Sequence, residues 1–235
     1  MTMAQANANG RNRLLSAVPP LDFAKLSPHL REMHYGQGTL LQEADEPIHT
    51  VYFPQTGMVS LLAVMESGEG VESATVGREG AVNTMMGREG RASGRAVVQL
   101  EGTSSQMLAI RFHDAMDSSP TIKKLIVRYN EAQVSGVYLS VGCNAVHRVE
   151  TRLCRWLLQT MDRTESAVLP LTQQLLSEML GVQRSTVTVL ARQLQDAGLI
   201  RYKRGRIEVI DRVGLEEKAC ECYERIRARM ERVFS

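Results

Sequence analysis

Aromatic residues are scarce, with one Trp, six Tyr and four Phe in 235 positions. Cysteine is scarcer still: the four are Cys143, Cys154, Cys220 and Cys222, and none precedes Cys143. So few thiols, so scattered and all in segments read as helical, exclude a disulfide framework and point to reduced thiols in a cytoplasm. They also exclude an iron–sulfur cluster on an N-terminal cysteine group. Read as helical, Cys220-x-Cys222 points its thiols about 160–200° apart, and no metal is expected there. No apolar run approaches the ~20 residues that span a bilayer, so no membrane partner is expected. The start, MTMAQANANGRNRLL, lacks the apolar stretch of a secretory signal and reads as a polar, mobile arm up to about Asn12. His-x-His, Gly-x-Ser-x-Gly, a phosphate loop and His-Glu-x-x-His are all missing, and His34, His49, His113 and His147 form no ligand pattern. A metal-dependent β-roll enzyme of the cupin type is the reading this disfavours; no enzymatic activity and no cofactor are expected. Nor is there a global excess of charge: 28 basic and 26 acidic residues leave +2.

What is present is concentrated near the C-terminus. LTQQLLSEMLGVQRSTVTVLARQLQDAGL, from Leu171 to Leu199, reads as two helices around a tight turn. Thr172 stands at an N-cap position ahead of Leu175, Leu176, Met179 and Leu180. Gly181 supplies the left-handed residue that ends the first helix. The second begins near Arg184, with Val187, Leu190, Ala191 and Leu194 on one face. Arg184, Ser185, Thr188, Arg192 and Gln195 occupy the other, a polar set suited to a groove lined with hydrogen-bonding edges.

After Gly198, LIRYKRGRIEVID forms two β-favouring runs around Lys203-Arg204-Gly205-Arg206, a hairpin with a basic tip. From Arg184 to Arg206 the bases are Arg184, Arg192, Arg201, Lys203, Arg204 and Arg206, and Asp196 is the only acid. A local imbalance of this kind beside an exposed helix is an electrostatic footprint of phosphate binding.

Upstream, Arg13–Val18 and Asp22–Leu30 read as short helical pieces separated by Pro19-Pro20. From Met33 to about Arg111, turn signals alternate with short strands at Thr39–Gln42, Thr50–Pro54, Met58–Met65, Val71–Val76, Arg95–Glu101 and Gln106–Ile110, which predicts a jelly-roll-like β-roll. Ser67-Gly68-Glu69-Gly70 is one of the turns. Arg111–Asp117 reads as a connector. A helix capped at Ser118 or Ser119, with Pro120 at its first position, then runs to about Asn144 or beyond. Leu125, Tyr129, Ala132, Gly136, Leu139, Cys143 and Val146 recur by four and three, the pattern of a self-pairing seam. Ile122, Ile126, Val134, Val137 and Val141 supply a second stripe for the roll. A hinge at His147-Arg148-Val149 leads to a helix over Glu150–Met161. Asp211 caps a last helix with Leu215, Ala219, Cys222, Ile226, Met230 and Val233 on one face. The class is α+β, with a sensor-like roll at 13–118, a dimerisation helix and hinge at 119–148, and a winged helix-turn-helix at 149–235.

This order of parts resembles the Crp/Fnr family of bacterial transcription regulators over nearly the whole chain. GQGTLLQEADEPIHTVYFPQTGMVSLL, TRLCRWLL and above all LTQQLLSEMLGVQRSTVTVLARQLQDAGLIRYKRGRIEVID carry the resemblance. It implies a homodimer on double-stranded DNA, with one recognition helix in each of two successive major grooves and RNA polymerase as a further partner. Arg184 matches an arginine that can read guanine. Ser185 stands where the family often has Glu, and Val189 where it often has a second Arg, so a different base preference is implied. Thr172, Gln174 and Thr186 match backbone-contacting positions. Gln183, Thr188, Arg192 and the wing residues Lys203, Arg204 and Arg206 complete the expected DNA-binding set.

The sensor half departs from the family. Cyclic-nucleotide binders carry a Gly-Glu for the ribose and an Arg-Ser/Thr-Ala for the phosphate. Here Asn83-Thr84 fall near the first and Gly94-Arg95-Ala96 near the second, so the arginine is displaced by one residue, which turns a strand side chain to the other face. The family's adenine-contacting pair corresponds to Val137 and Tyr138. An effector pocket around Asn83, Thr84, Arg95, Val137 and Tyr138 is therefore expected not to depend on cyclic AMP, with cyclic-nucleotide gating as the alternative.

Overall fold

The computed structural model describes residues 12–66, 68 and 70–235. The expected polar arm before Asn12, and Ser67 and Glu69 of the expected turn, lie outside the described residues.

Asn12 organises the N-terminal end. Its side chain accepts from Leu15 N (3.0 Å), capping α1 (Arg13–Ser16), and donates to the carbonyls of Pro54 (2.7 Å) and Gly80 (2.8 Å). The expected helix over Asp22–Leu30 does not form as one piece. A single turn, α2 (Pro20–Phe23), is followed by a 3₁₀ turn at Ser27–His29, and Pro28 stands inside the latter.

The roll is two packed antiparallel sheets. One has the order β1-β7-β3, from Arg31–Tyr35, Gly102–Leu108 and Thr50–Pro54; the other has β2-β6-β4-β5, from Leu40–Gln42, Arg95–Leu100, Met58–Val64 and Gly70–Val76. Alternation along β3 divides the core. Val51 and Phe53 face the flanking helices, whereas Tyr52 packs with Val59, Val76, Val82 and Ala96 between the sheets. One strand here is unforeseen and one expectation fails. β1 is not among the expected strands, since REMHY shows no buried alternation and is largely exposed. The expected connector 111–117 is instead the body of a helix, α3 (Ala109–Ser118), which buries Phe112 in the core.

The long helix α4 (Pro120–Val146) starts at Ser119, whose Oγ accepts from Ile122 N (3.2 Å). Its phase differs from the expected seam. Tyr129 is 1% exposed and donates to the Ala81 carbonyl (2.8 Å), and Cys143 is buried against Cys220 and Cys222. Leu125 and Ala132 pack on the roll core. Four of the seven seam residues therefore face inward within one chain. The exposed stripe is Val127, Val134, Tyr138 and Val141, roughly 200° round the helix. Two apolar stripes of similar strength run along α4, and periodicity alone does not say which one the roll takes. Of the stripe expected against the roll, Ile122 and Ile126 are buried, while Val134 and Val141 are exposed.

The chain breaks at His147-Arg148 and enters α5 (Val149–Thr164). Leu153, Trp156 and Leu157 face the C-terminal core, together with Leu176, Leu180, Val187, Leu194 and Ile207. After a short strand β8 (Val168–Leu169) come α6 (Gln173–Leu180), α7 (Arg184–Asp196), β9 (Ile200–Lys203) and β10 (Arg206–Val209). β8 joins the hairpin as a third strand, order β8-β10-β9, where the sequence suggests only a loop. The expected last helix is two: α8 (Arg212–Lys218) and α9 (Cys222–Glu231). The chain turns extended at Ala219, with ψ 151°, between them. α9 packs back on α4 and places Met230 and Val233 in the roll core. Trp156 Nε1 donates to Glu72 Oε1 (2.9 Å), and Arg163 pairs with Glu79 (2.9 Å) with both side chains about 10% exposed, so α5 is docked against the roll.

Candidate nucleic-acid interface

Two capping devices set the first helix of the pair. Thr172 Oγ1 accepts from Leu175 N (3.1 Å) at the start of α6. At its end Gly181 adopts φ 63°, ψ 43°, and the amides of Gly181 and Val182 return to the carbonyls of Glu178 (3.3 Å) and Ser177 (3.0 Å). α7 begins at Gln183, whose side chain makes no capping bond, so its leading amides point outward uncapped. Val187, Ala191 and Leu194 lock α7 onto the core.

The face opposite is open. Gln183, Arg184, Ser185, Thr186, Thr188, Val189 and Arg192 are all exposed, as are Thr172 and Gln174 on the preceding helix. Thr188 is oriented by Gln173, a residue the sequence reading passed over: Thr188 Oγ1 donates to Gln173 Oε1 (2.9 Å), which ties the two helices at their solvent edge. Gln174 Nε2 meets Glu178 Oε1 (2.8 Å). Arg192 lies 3.9 Å from Asp196, a loose exposed pair that leaves the guanidinium free to move.

β9 and β10 pair from Arg206–Lys203 to Val209–Ile200, joined by Arg204-Gly205. Both turn residues have positive φ (49° and 73°), the combination that matches the twist of a two-residue hairpin. The turn carries Lys203, Arg204 and Arg206 exposed at the tip, beside Thr172: a Cβ built on Gly205 would sit 3.5 Å from Thr172 Cγ2. Wing and first helix thus form one surface, with α7 projecting next to it.

The roll holds a cavity of about 410 Å³ between the second sheet and α4. Asn83, Thr84, Val137 and Tyr138 line it, as expected from sequence; Arg95 does not. Its guanidinium turns to Glu43 (2.8 Å), the outcome of the one-residue displacement. Among the described residues no charged side chain lines the cavity. Asn83, at φ 69°, donates to the Thr50 carbonyl (2.9 Å), and Thr84 and Asn130 bond each other, so both are engaged in holding the wall.

A second cluster was not foreseen. Cys143, His147, Cys220 and Cys222 come together where the end of α4 meets the α8–α9 junction, with all their ligating atoms within 4.8 Å of one another. Cys220 lies in the break between helices, so the two thiols of Cys220-x-Cys222 converge instead of pointing apart. The hydrogen bond shared by Cys143 and Cys220 holds the Cys143 thiol below its ordinary value and, with burial, raises that of Cys220.

Comparison with known proteins agrees with this geometry. A family model described as the Crp-like helix-turn-helix domain matches residues 151–218. Among curated proteins none matches. The c-di-GMP responsive global regulator CLP of Xanthomonas campestris is similar in fold at 16% identity, TM-score 0.65, over 82% of this chain and all of that one. FixK2 of Bradyrhizobium japonicum aligns at 17% identity, TM-score 0.63, over 81% of this chain and 98% of that one. TTHA1359, a transcriptional regulator of the Crp/Fnr family from Thermus thermophilus, aligns at 21% identity, TM-score 0.63, over 80% and 98%. The chain has the fold of the Crp/Fnr transcription regulators and carries their Crp-like helix-turn-helix domain.

Proposed function

We propose that the chain is a sequence-specific DNA-binding transcription regulator that acts as a homodimer on a two-fold symmetric operator. The observation that carries this is the fully exposed polar face of α7 beside a basic wing, with every expected contact residue outward and only Asp196 acidic across Arg184–Arg206. Phosphate contacts from Thr172, Gln174, Thr186 and the wing set the register; Arg184, Ser185, Thr188 and Val189 meet base edges. Val189 is 56% exposed and offers a methyl-sized surface to a thymine methyl. The exposed stripe on α4 supports pairing with a second copy. Such a dimer works in the cytoplasm, where it meets chromosomal DNA and RNA polymerase. No helix of the described chain is long and apolar enough to cross a membrane.

The regulator does not depend on cyclic AMP in this reading. A cyclic phosphate buried in the roll needs a cation or several donors, and the cavity lining supplies no charge. One relative is described as responsive to c-di-GMP; this lining favours a neutral or apolar effector over either nucleotide. Selection of bound fragments from random DNA, with and without cyclic nucleotides, tests both halves. The expected product is a palindrome with half-site centres about 10–11 base pairs apart, unchanged by nucleotide. An asymmetric site, or enrichment only with cyclic AMP present, contradicts the reading.

A further inference from the structure

We propose that Cys143, His147, Cys220 and Cys222 form a zinc site that clamps the end of the long helix to the C-terminal domain. Cys143 and His147 are four residues apart at the close of α4 and so share a face. Cys220 lies in the break between α8 and α9, and Cys222 opens α9. Cys143 Sγ lies 3.5 Å from Cys220 Sγ, and Cys222 Sγ lies 3.7 Å from His147 Nδ1. Ligands about 2.0–2.3 Å from a tetrahedral zinc stand roughly 3.5–3.8 Å apart, so both pairs already have the edge lengths of the polyhedron. Three thiols and an imidazole are a soft donor set that suits zinc and closes its coordination, which marks a structural site.

The surroundings fit as well. His147 turns its other nitrogen to a carboxylate, with Nε2 3.2 Å from Glu221 Oε2. That contact fixes the proton on Nε2 and leaves the Nδ1 lone pair aimed at the thiols, the usual support for a ligating histidine. The three cysteines are 1–7% exposed and form a cluster apart from the other cores, where apolar packing gives no reason for three thiols to meet. Zinc with three thiolates and a neutral imidazole carries one negative charge. Arg152 and Arg155 lie buried on the adjoining face of α5, without a salt bridge among the described residues, and can balance it. Metal binding releases the thiol protons to solvent, with no change in redox state. The mechanical consequence is specific: the clamp joins both sides of the His147-Arg148 hinge and holds α9 against α4.

The test reads metal directly and is independent of DNA binding, so it stands or falls apart from the proposed function. The full chain, purified reduced and without a polyhistidine tag, is assayed for zinc, stripped with a chelator and refilled with cobalt(II). We expect one zinc per chain, visible cobalt bands of tetrahedral type and a thiolate-to-cobalt charge-transfer band. Cys220→Ser loses both, chelation lowers the melting temperature, and Glu221→Gln, which keeps every ligand, weakens zinc binding about 10–100-fold. Should Cys220→Ser not fold, the wild-type cobalt spectrum and Glu221→Gln decide. A reduced, folded wild type that takes up neither metal overturns the site. So does a six-coordinate cobalt spectrum without charge transfer, or a Cys143–Cys220 disulfide whose reduction restores no metal uptake.

Discussion

Arg184 opens α7, the proposed recognition helix, exposed and without a carboxylate bridge among the described residues. Its guanidinium can present two donors to guanine O6 and N7. Arg184→Ala is expected to cost about 1–3 kcal/mol of operator affinity and to relax preference at one base pair. Fluorescence anisotropy on the operator and its single-base variants reads this; undiminished discrimination rejects the role. Glu72 is a second residue whose chemistry can be followed. It accepts from Ser60 Oγ (2.6 Å) and Trp156 Nε1, and packing against α5 strips its water, which raises its carboxyl above the ordinary range despite those bonds. The folded chain then holds a proton that the unfolded chain has released. Stability is highest below the ordinary carboxylate value, falls as pH rises towards the raised one, and is level beyond it. Glu72→Gln, which keeps an acceptor for the indole, should flatten that fall and raise the melting temperature at neutral pH. Thermal scans from about pH 4 to about pH 8 check it, and a steeper fall would contradict it.

At the scale of elements, the helix pair rests on Gly181. A β-branched residue there meets its own carbonyl at φ 63°, at a cost of about 1–2 kcal/mol. Gly181→Val should lower the melting temperature by roughly 2–4 °C for each kcal/mol and weaken DNA binding with it. In the proposed complex the wing contributes charge, so Lys203→Ala should weaken all sequences alike and reduce the salt slope of binding by about 1. An effect confined to one operator would mean that the wing reads bases. The helix-turn-helix and wing were legible because Thr172, Gly181 and Arg204-Gly205 are local stop and turn signals, and the buried periodicity of α7 is strong. Other elements carried weaker marks. α3 starts at Leu108 with no side-chain cap, β1 (REMHY) buries none of its residues fully, and the α8–α9 break contains neither Gly nor Pro. The cysteine cluster depends on that break, so Cys143-x-x-x-His147 and Cys220-x-Cys222 made no sense as a set until the chain turned at Ala219. Arg95, expected in the pocket with Asn83, Thr84, Val137 and Tyr138, is the exception: its one-residue displacement along the strand turns it to Glu43 and out of the cavity.

For the whole molecule, exposure along α4 selects the stripe that would meet a second copy. Val127, Val134, Tyr138 and Val141 remain exposed along one side, from 42% to 75%, whereas Tyr129 and Cys143 are spent inside the chain. Val141→Glu should therefore convert dimer to monomer in light scattering after gel filtration and abolish tight operator binding, while the fold persists by circular dichroism. A variant that stays dimeric would return the interface to the remaining seam residues Gly136, Leu139 and Val146. In the proposed complex two copies place two α7 helices in successive major grooves. The stoichiometry and salt dependence of binding to a selected operator, by anisotropy on defined duplexes, test this. The prediction is two chains per duplex, with affinity falling steeply and linearly in the logarithm of salt, and lost when half the palindrome is scrambled. One chain per duplex with full affinity for a single half-site, or no binding to any duplex at low salt, would contradict it.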